Sequence, residues 1–205
     1  MKTLRLLLGD QLNPEHSWFK TVREDVVYIM AEMRQETDYA PHHIQKVVAF
    51  FAAMRNFAKE RTADGHRVKY FKLTDPKNPQ NLPELIKQSL DKEGCDRFEY
   101  LLPDEFRLDQ QLKDICEGLQ IPTKAFDTEH FYTMRDALEL HFKGKKQLVM
   151  ESFYRMMRKK HGVLFKDGEP AGGTWNYDAQ NRKKWKGVPA IPKITPAQSE
   201  ELSPI

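Results

Sequence analysis

Six side chains in the first half of this 205-residue sequence have the types and spacing to hold a flat, polar molecule: Asp10, Glu32, Glu36, Tyr39, His42 and Glu105, with Gly9 beside the first. The chemistry they offer is non-covalent. Carboxylates accept hydrogen bonds from hydroxyls and amides, and a tyrosine ring can stack on a planar heterocycle. A helix opening near Asp38 would add unpaired N–H groups and positive potential. Tyr39 and His42, three apart around that start, would then face the same way. Asp10, Glu32 and Glu36 would repel an anion, so the set suits a neutral, polyhydroxylated aromatic ligand better than a phosphate. The same residues also fit a plainer account. Asp38 can be an ordinary helix cap, the acids solvated surface, and Asp10 an Asx turn closing a strand.

Other chemistries find no support. There is no GxGxxG or P-loop run for a dinucleotide or nucleoside triphosphate, and no GxSxG nucleophile turn. His42 and His43 are adjacent, not at the i, i+4 spacing that puts two imidazoles on one helix face. Cys95 and Cys116 are the only cysteines, too few for a disulfide framework or a four-thiolate centre. No apolar run approaches the ~20 residues of a membrane span, and no signal peptide opens the chain. The expectation is a cytoplasmic protein with no membrane partner.

The elements that must position these residues follow from hydrophobic periodicity. Leu4–Leu8 and Val26–Met30 read as buried strands. Pro41 marks the first turn of a long helix carrying Ile44, Val47, Val48, Phe51, Met54 and Ala58 at helical spacing, ended by Gly65. Phe50 and Phe57 lie off that stripe, which predicts cover on more than one side. Val68–Leu73, Phe98–Leu102 and Ile121–Phe126 read as further strands, the last near an edge because it holds Pro122. Leu82–Leu90 and Leu108–Cys116 read as helices. Alternating strand and helix predict an α/β fold: a three-layer, Rossmann-like domain over residues 1–130 with a mostly parallel sheet of about five strands. Ligands of such sheets sit beyond the C-terminal ends of the strands. GDQ at 9–11, the segment 31–39 and the loop 103–107 all fall there.

Residues 131–205 read as a connector with a basic helix near 150–160, in which Phe153, Met156 and Met157 would face inward. Trp175, with Asn176 and Asp178, would pack the connector down. Residues 143–186 carry twelve Lys/Arg against four Asp/Glu, an excess of +8, leaving 21 against 26 elsewhere. That asymmetry suits weak phosphate contacts, or simply a solvated linker.

Four blocks in this order carry a resemblance: GDQL at 9–12, AEMRQETDYAPHHIQKVVAFFAAMRNFA at 31–58, MESFYRMMR at 150–158 and GGTWNYDAQNR at 172–182. Together they resemble the deoxyribodipyrimidine photolyase-related proteins, the iron–sulfur bacterial cryptochromes and prokaryotic (6-4) photolyases. The resemblance implies an N-terminal antenna domain and connector, followed in full-length members by a helical domain. That domain holds FAD, four cysteines for a 4Fe–4S cluster, and the DNA lesion pocket. By this resemblance the chain is an N-terminal fragment whose partner is the helical domain. Its parent would be a DNA lyase or photoreceptor, and the fragment alone would catalyse nothing.

The resemblance further implies that the α/β domain binds 6,7-dimethyl-8-ribityllumazine as an antenna pigment. Asp10, Glu36, Tyr39 and His42 match the family's lumazine-site pattern. Gly9 precedes the first of these, and Glu32 and Glu105 match more weakly. The chain departs from the family at Pro103-Asp104-Glu105, where many members have a Pro-Gly-Glu-like run. Two other functions remain as readings: a free-standing α/β module for a nucleotide or small molecule, and a nucleic-acid-binding domain built on residues 143–186.

Overall fold

A computed structural model describes residues 1–178, 182 and 184–193. Residues 179–181 of the GGTWNYDAQNR block and the Pro-spaced tail from 194 on lie outside the described residues. The chain divides into two compact units, residues 1–132 and 133–197.

The first unit is built on five parallel strands: β1 (Thr3–Leu6), β2 (Val26–Ala31), β3 (Val68–Phe71), β4 (Arg97–Leu101) and β5 (Thr123–Phe126). Their order is β3-β2-β1-β4-β5. Helix α1 (Arg34–Thr37) and helix α2 (Ile44–Ala63) follow β2. Helix α3 (Leu82–Glu93) precedes β4, and helix α4 (Phe106–Gly118) precedes β5. The sheet is fully parallel, and the three-layer α/β architecture agrees with the sequence.

Strand alternation sorts the core into two layers. Leu4, Leu6, Val27, Ile29, Phe98 and Tyr100 face α3 and α4, where Leu85, Ile86, Leu108 and Leu112 pack against them. Leu7, Tyr28, Met30 and Leu101 face the other way, onto Phe51, Met54, Phe57 and Ala58 of α2 and onto Trp18 and Phe19 of a 3-10 turn. Burying each such side chain stabilises the fold by about 1.5–3 kcal/mol. Phe57 is buried with Phe51, Met54 and Ala58, but Phe50 and Ile44 are exposed, so α2 is covered on one side and not on more than one as the sequence predicts.

The second layer also hides charge. Arg5, inside β1, donates from Nε to Glu99 of β4 at 2.9 Å and from Nη1 to Tyr28 Oη at 3.1 Å. Its guanidinium lies 4.4 Å from the centroid of the Trp18 ring.

Helix α2 begins later than the sequence predicts. It starts at Ile44, not in the Asp38–Pro41 region, and His43 caps it by accepting from the Gln45 N–H at 3.2 Å. Residues 38–43 are therefore a connection between α1 and α2. Asp38 ends α1 at its C-cap, with its own N–H donating to the Arg34 carbonyl. Pro41 is compatible with a first turn but does not require one.

In the second unit, helix α5 (Ala137–Phe142) precedes helix α6 (Met150–His161), and a two-stranded antiparallel hairpin follows, β6 (Phe165–Lys166) with β7 (Glu169–Pro170). Phe153 rests against His141 and Phe142 at ring-centroid distances of 5.3 and 6.3 Å. Arg158 on α6 is buried and donates to the carbonyls of Val163, Leu164 and Trp175. Those bonds tie the helix to the segment that carries Trp175.

Candidate functional site: a crevice at the sheet switch point

The strand order reverses direction at β1, whose neighbours are β2 on one side and β4 on the other. Connections leave to opposite faces there, and the strand ends splay into a crevice. Gln11 spans the gap. Its Oε1 accepts from the Leu8 N–H at 3.0 Å, and its Nε2 donates to the Leu101 carbonyl at 3.1 Å, tying the end of β1 to the end of β4. Gly9 makes the close approach to α2 possible. A Cβ there would overlap the Phe50 ring and sit 2.7 Å from Met54 Sδ.

The crevice has a volume of about 240 Å³. Leu6, Leu8, Phe50, Phe51, Met54 and Leu85 give it apolar walls. Gly9, Asp10, Glu36, Tyr39, His42 and Glu105 all line it, so three segments far apart in sequence meet where the sequence places them.

Glu32 does not line it. Glu32 is fully buried, and its carboxylate accepts from Arg55 Nε (2.6 Å) and Nη2 (3.0 Å), Tyr70 Oη (2.7 Å) and the Leu73 N–H (2.8 Å). Burial pushes its pKa up, but these donors outweigh it and hold the carboxyl below its ordinary value. The same contact, together with burial, drives the Tyr70 hydroxyl far above its usual pKa, burial being the larger cause. Glu32 thus locks the end of β2 to α2 and to the end of β3. Sequence spacing alone could not separate it from Glu36, four residues on.

Glu105 lines the crevice but is committed to α4, where its carboxylate caps the N–H groups of Arg107 (2.9 Å) and Leu108 (3.0 Å). Asp10 is exposed at the rim. Crowding of its carboxyl by protein raises its pKa, opposed by its own backbone amide; Asp104 and Glu105 raise it further against His130.

The expected Tyr39–His42 pairing is present, with ring centroids 5.3 Å apart and the rings edge to face. It arises in the 38–43 connection, not on a helix turn.

The sequence reading missed Arg107 and Lys46. Arg107 donates from Nη2 to Glu36 Oε2 at 3.0 Å, lies 3.5 Å from Glu105, and holds its guanidinium 4.8 Å from the Tyr39 ring centroid. Burial works against its charge, yet Glu36 and then Glu105 raise its pKa. Lys46 Nζ lies 3.3 Å from His42 Nδ1. These two cations offset two of the three lining carboxylates, so the crevice is close to charge balance and not strongly acidic. One signal for Arg107 was available: it stands two residues after Glu105 on a loop already singled out.

Glu36 is the group left incomplete. Its Oε1 is shielded from water and has no hydrogen-bond partner among the described residues. A buried acceptor in that state costs about 1–3 kcal/mol, which a ligand donor would recover. Apolar walls with a few polar groups at the edge suit a flat heterocycle bearing hydroxyls. Asp10, Glu36, Tyr39 and His42 therefore fit such a group. Among the described residues no cluster of three or more His, Cys, Asp or Glu could hold a metal ion, and no helix is long and apolar enough to cross a membrane.

Fold and crevice together define an open, parallel α/β domain with a candidate site at the switch point of the sheet. The chain belongs to the deoxyribodipyrimidine photo-lyase-related protein family, whose model matches residues 5–203. It is 32% identical over 185 residues to a (6-4) photolyase of Agrobacterium fabrum, across 89% of this chain and 36% of that protein. The chain thus spans about a third of the length of the curated relative it matches.

Proposed function

We propose that residues 1–132 form the light-harvesting domain of a photolyase- or cryptochrome-related flavoprotein and bind 6,7-dimethyl-8-ribityllumazine in the switch-point crevice. The observation that carries this reading is the unpartnered Glu36 Oε1 beside apolar walls. A ring needs those walls, and a bound N–H or O–H would complete that oxygen. Asp10 and His42 at the rim suit the ribityl hydroxyls, and the walls keep water from the ring. When bound, the pigment supplies near-ultraviolet and blue absorption and passes excitation to a flavin. In this reading FAD and the 4Fe–4S cluster belong to a helical partner domain beyond this chain. DNA repair or signalling belongs to the whole protein, and the exposed lysines of the second unit add at most weak contacts to DNA phosphates.

Absorption and fluorescence titration of the purified chain with the lumazine tests the proposal. Saturable binding with a shifted spectrum is the expected result, and no binding at ligand concentrations of about 100 μM would refute it. A nucleotide-binding module, the alternative, predicts that FMN or ADP competes. Three carboxylates against Arg107 and Lys46 leave no excess of cations for a phosphate, so neither should compete.

A further inference from the structure

We propose that residues 34–42 form a strap that gates the crevice: it swings away from α4 to admit or release the ligand, turning about Met33 and His43, and closes again through side-chain ties. The inference rests on the reading that the crevice binds a ligand, and it adds how the ligand enters and leaves.

The crevice is small for a two-ring ligand with a tail. Its volume of about 240 Å³ falls below the roughly 300–1,000 Å³ usual for small-molecule sites. Most of its walls are fixed. Leu6, Phe51, Met54, Leu82 and Leu85 are buried in the packed core. The stretch from Glu36 to His42 is different. Helix α1 has no buried residue, and Tyr39 is 62% exposed. The backbone N–H groups of Tyr39, Ala40 and His42 make no backbone hydrogen bond among the described residues. Few buried apolar contacts and unpaired amides mark the segments of a fold that open first.

The two ends of the strap are joined to each other. Glu32, just before it, is bonded to Arg55 of α2, and α2 is the helix that the strap runs into at Ile44. The ends therefore stay together while the middle moves, as in a compact surface loop. What holds the middle down is polar. The Arg34 N–H donates to Gln80 Oε1 at 3.1 Å, Gln35 Nε2 to Gln111 Oε1 at 2.6 Å, and Arg107 Nη2 to Glu36 Oε2 at 3.0 Å. The Arg107 guanidinium lies 4.8 Å from the Tyr39 ring centroid. All but the first of these contacts reach α4, so α4 is the side from which the strap releases. Polar ties near the surface are weak one by one, and loops held in this way open and close as gates. With the ties made, Glu36 Oε1 is shielded from water, which marks the closed position.

Gln111 lines no part of the crevice, so Gln111→Ala cuts one tie and leaves the lining groups in place. Association and dissociation rates of ribityllumazine are measured by stopped-flow fluorescence on the whole chain, wild type and variant. Opening precedes both steps, so both rates should rise together by about threefold or more, the effect of one lost hydrogen bond, with Kd unchanged within about twofold. A merely supporting Gln111 would raise the dissociation rate alone. Trypsin supplies a reading that needs no ligand. Initial cleavage after Arg34, in α1, should outpace cleavage after Lys69, in β3, by about tenfold or more, because only the first is released by local opening. In Gln111→Ala the cut after Arg34 should quicken about threefold, while Tm moves by less than about 3 °C.

A rise in the dissociation rate alone, or in neither rate, would overturn the gate and leave the antenna reading intact. Ribityllumazine that does not bind would refute the antenna reading, and trypsin would then decide the strap. Faster cleavage after Arg34 in Gln111→Ala supports it, and an unchanged rate overturns it.

Discussion

Replacing Glu32 by alanine should unfold the domain more readily, even though the residue touches no part of the crevice. Glu32 is fully buried and accepts four hydrogen bonds from Arg55, Tyr70 and Leu73, while Arg55 has only 9% of its side chain exposed. Removing one member of a buried ion pair leaves the other charged without compensation and costs about 3–5 kcal/mol. For a chain of this size that corresponds to a fall in Tm of roughly 6–20 °C. The pH dependence follows from the lowered carboxyl pKa. The unfolded chain takes up its proton near the ordinary value, about 4.3. Stability from Glu32 is therefore complete above that value and is lost as pH falls through the lower folded one. Urea unfolding of wild type and Glu32→Ala, followed by circular dichroism from pH 7 down to pH 3, should show a full deficit at pH 7 that narrows only below about pH 4.3. Glu32→Met with Arg55→Met should recover part of it, since the Tyr70 hydroxyl and the Leu73 N–H stay unpaired. A Glu32→Ala deficit below 1 kcal/mol at pH 7, or one unchanged down to pH 3, would refute the reasoning.

Gly9→Ala should displace Phe50 and Met54, costing about 1–3 kcal/mol by overpacking; lumazine affinity should fall with it, read by the same titration. Arg107→Met removes a half-exposed ion pair, so Tm should move little, in keeping with about 0–1 kcal/mol, while lumazine binding weakens about tenfold as Glu36 loses the charge-assisted bond that positions it. Burial lowers the His66 pKa, the Phe19 carbonyl opposing it. Because the unfolded chain binds that proton first, wild-type stability should decline as pH drops below about 6.5, and His66→Phe should flatten that limb in thermal melts.

Strands were the most legible part of the sequence, because four of the five follow short apolar runs that alternate between two packed faces. Charges inside them were not legible. Arg5 reads as an interruption in an apolar run until Glu99 and Tyr28 arrive from partners 94 and 23 residues away. Helix α1 was missed because RQET has no apolar period; its order comes from Gln35 and Glu36 reaching α4. The start of α2 was misplaced because proline permits a first turn without dictating one, while the actual cap, His43, is a residue type seldom used there. At the crevice, position along the chain brought Gly9, Asp10, Glu36, Tyr39, His42 and Glu105 together. It could not distinguish carboxylates spent on the scaffold, Glu32 and Glu105, from one left with an open oxygen, Glu36. That distinction depends on where Arg55 and the first amides of α4 end up.

Because β4 sits beside β1 with about ninety residues between them, one side of the crevice is missing from a half-made chain. A nascent polypeptide that has emerged only as far as α3 lacks the wall bearing Glu105, Arg107 and Leu108. Under the proposed function, a lumazine signal that matures only late in synthesis would therefore serve as an optical timer for completion of the sheet.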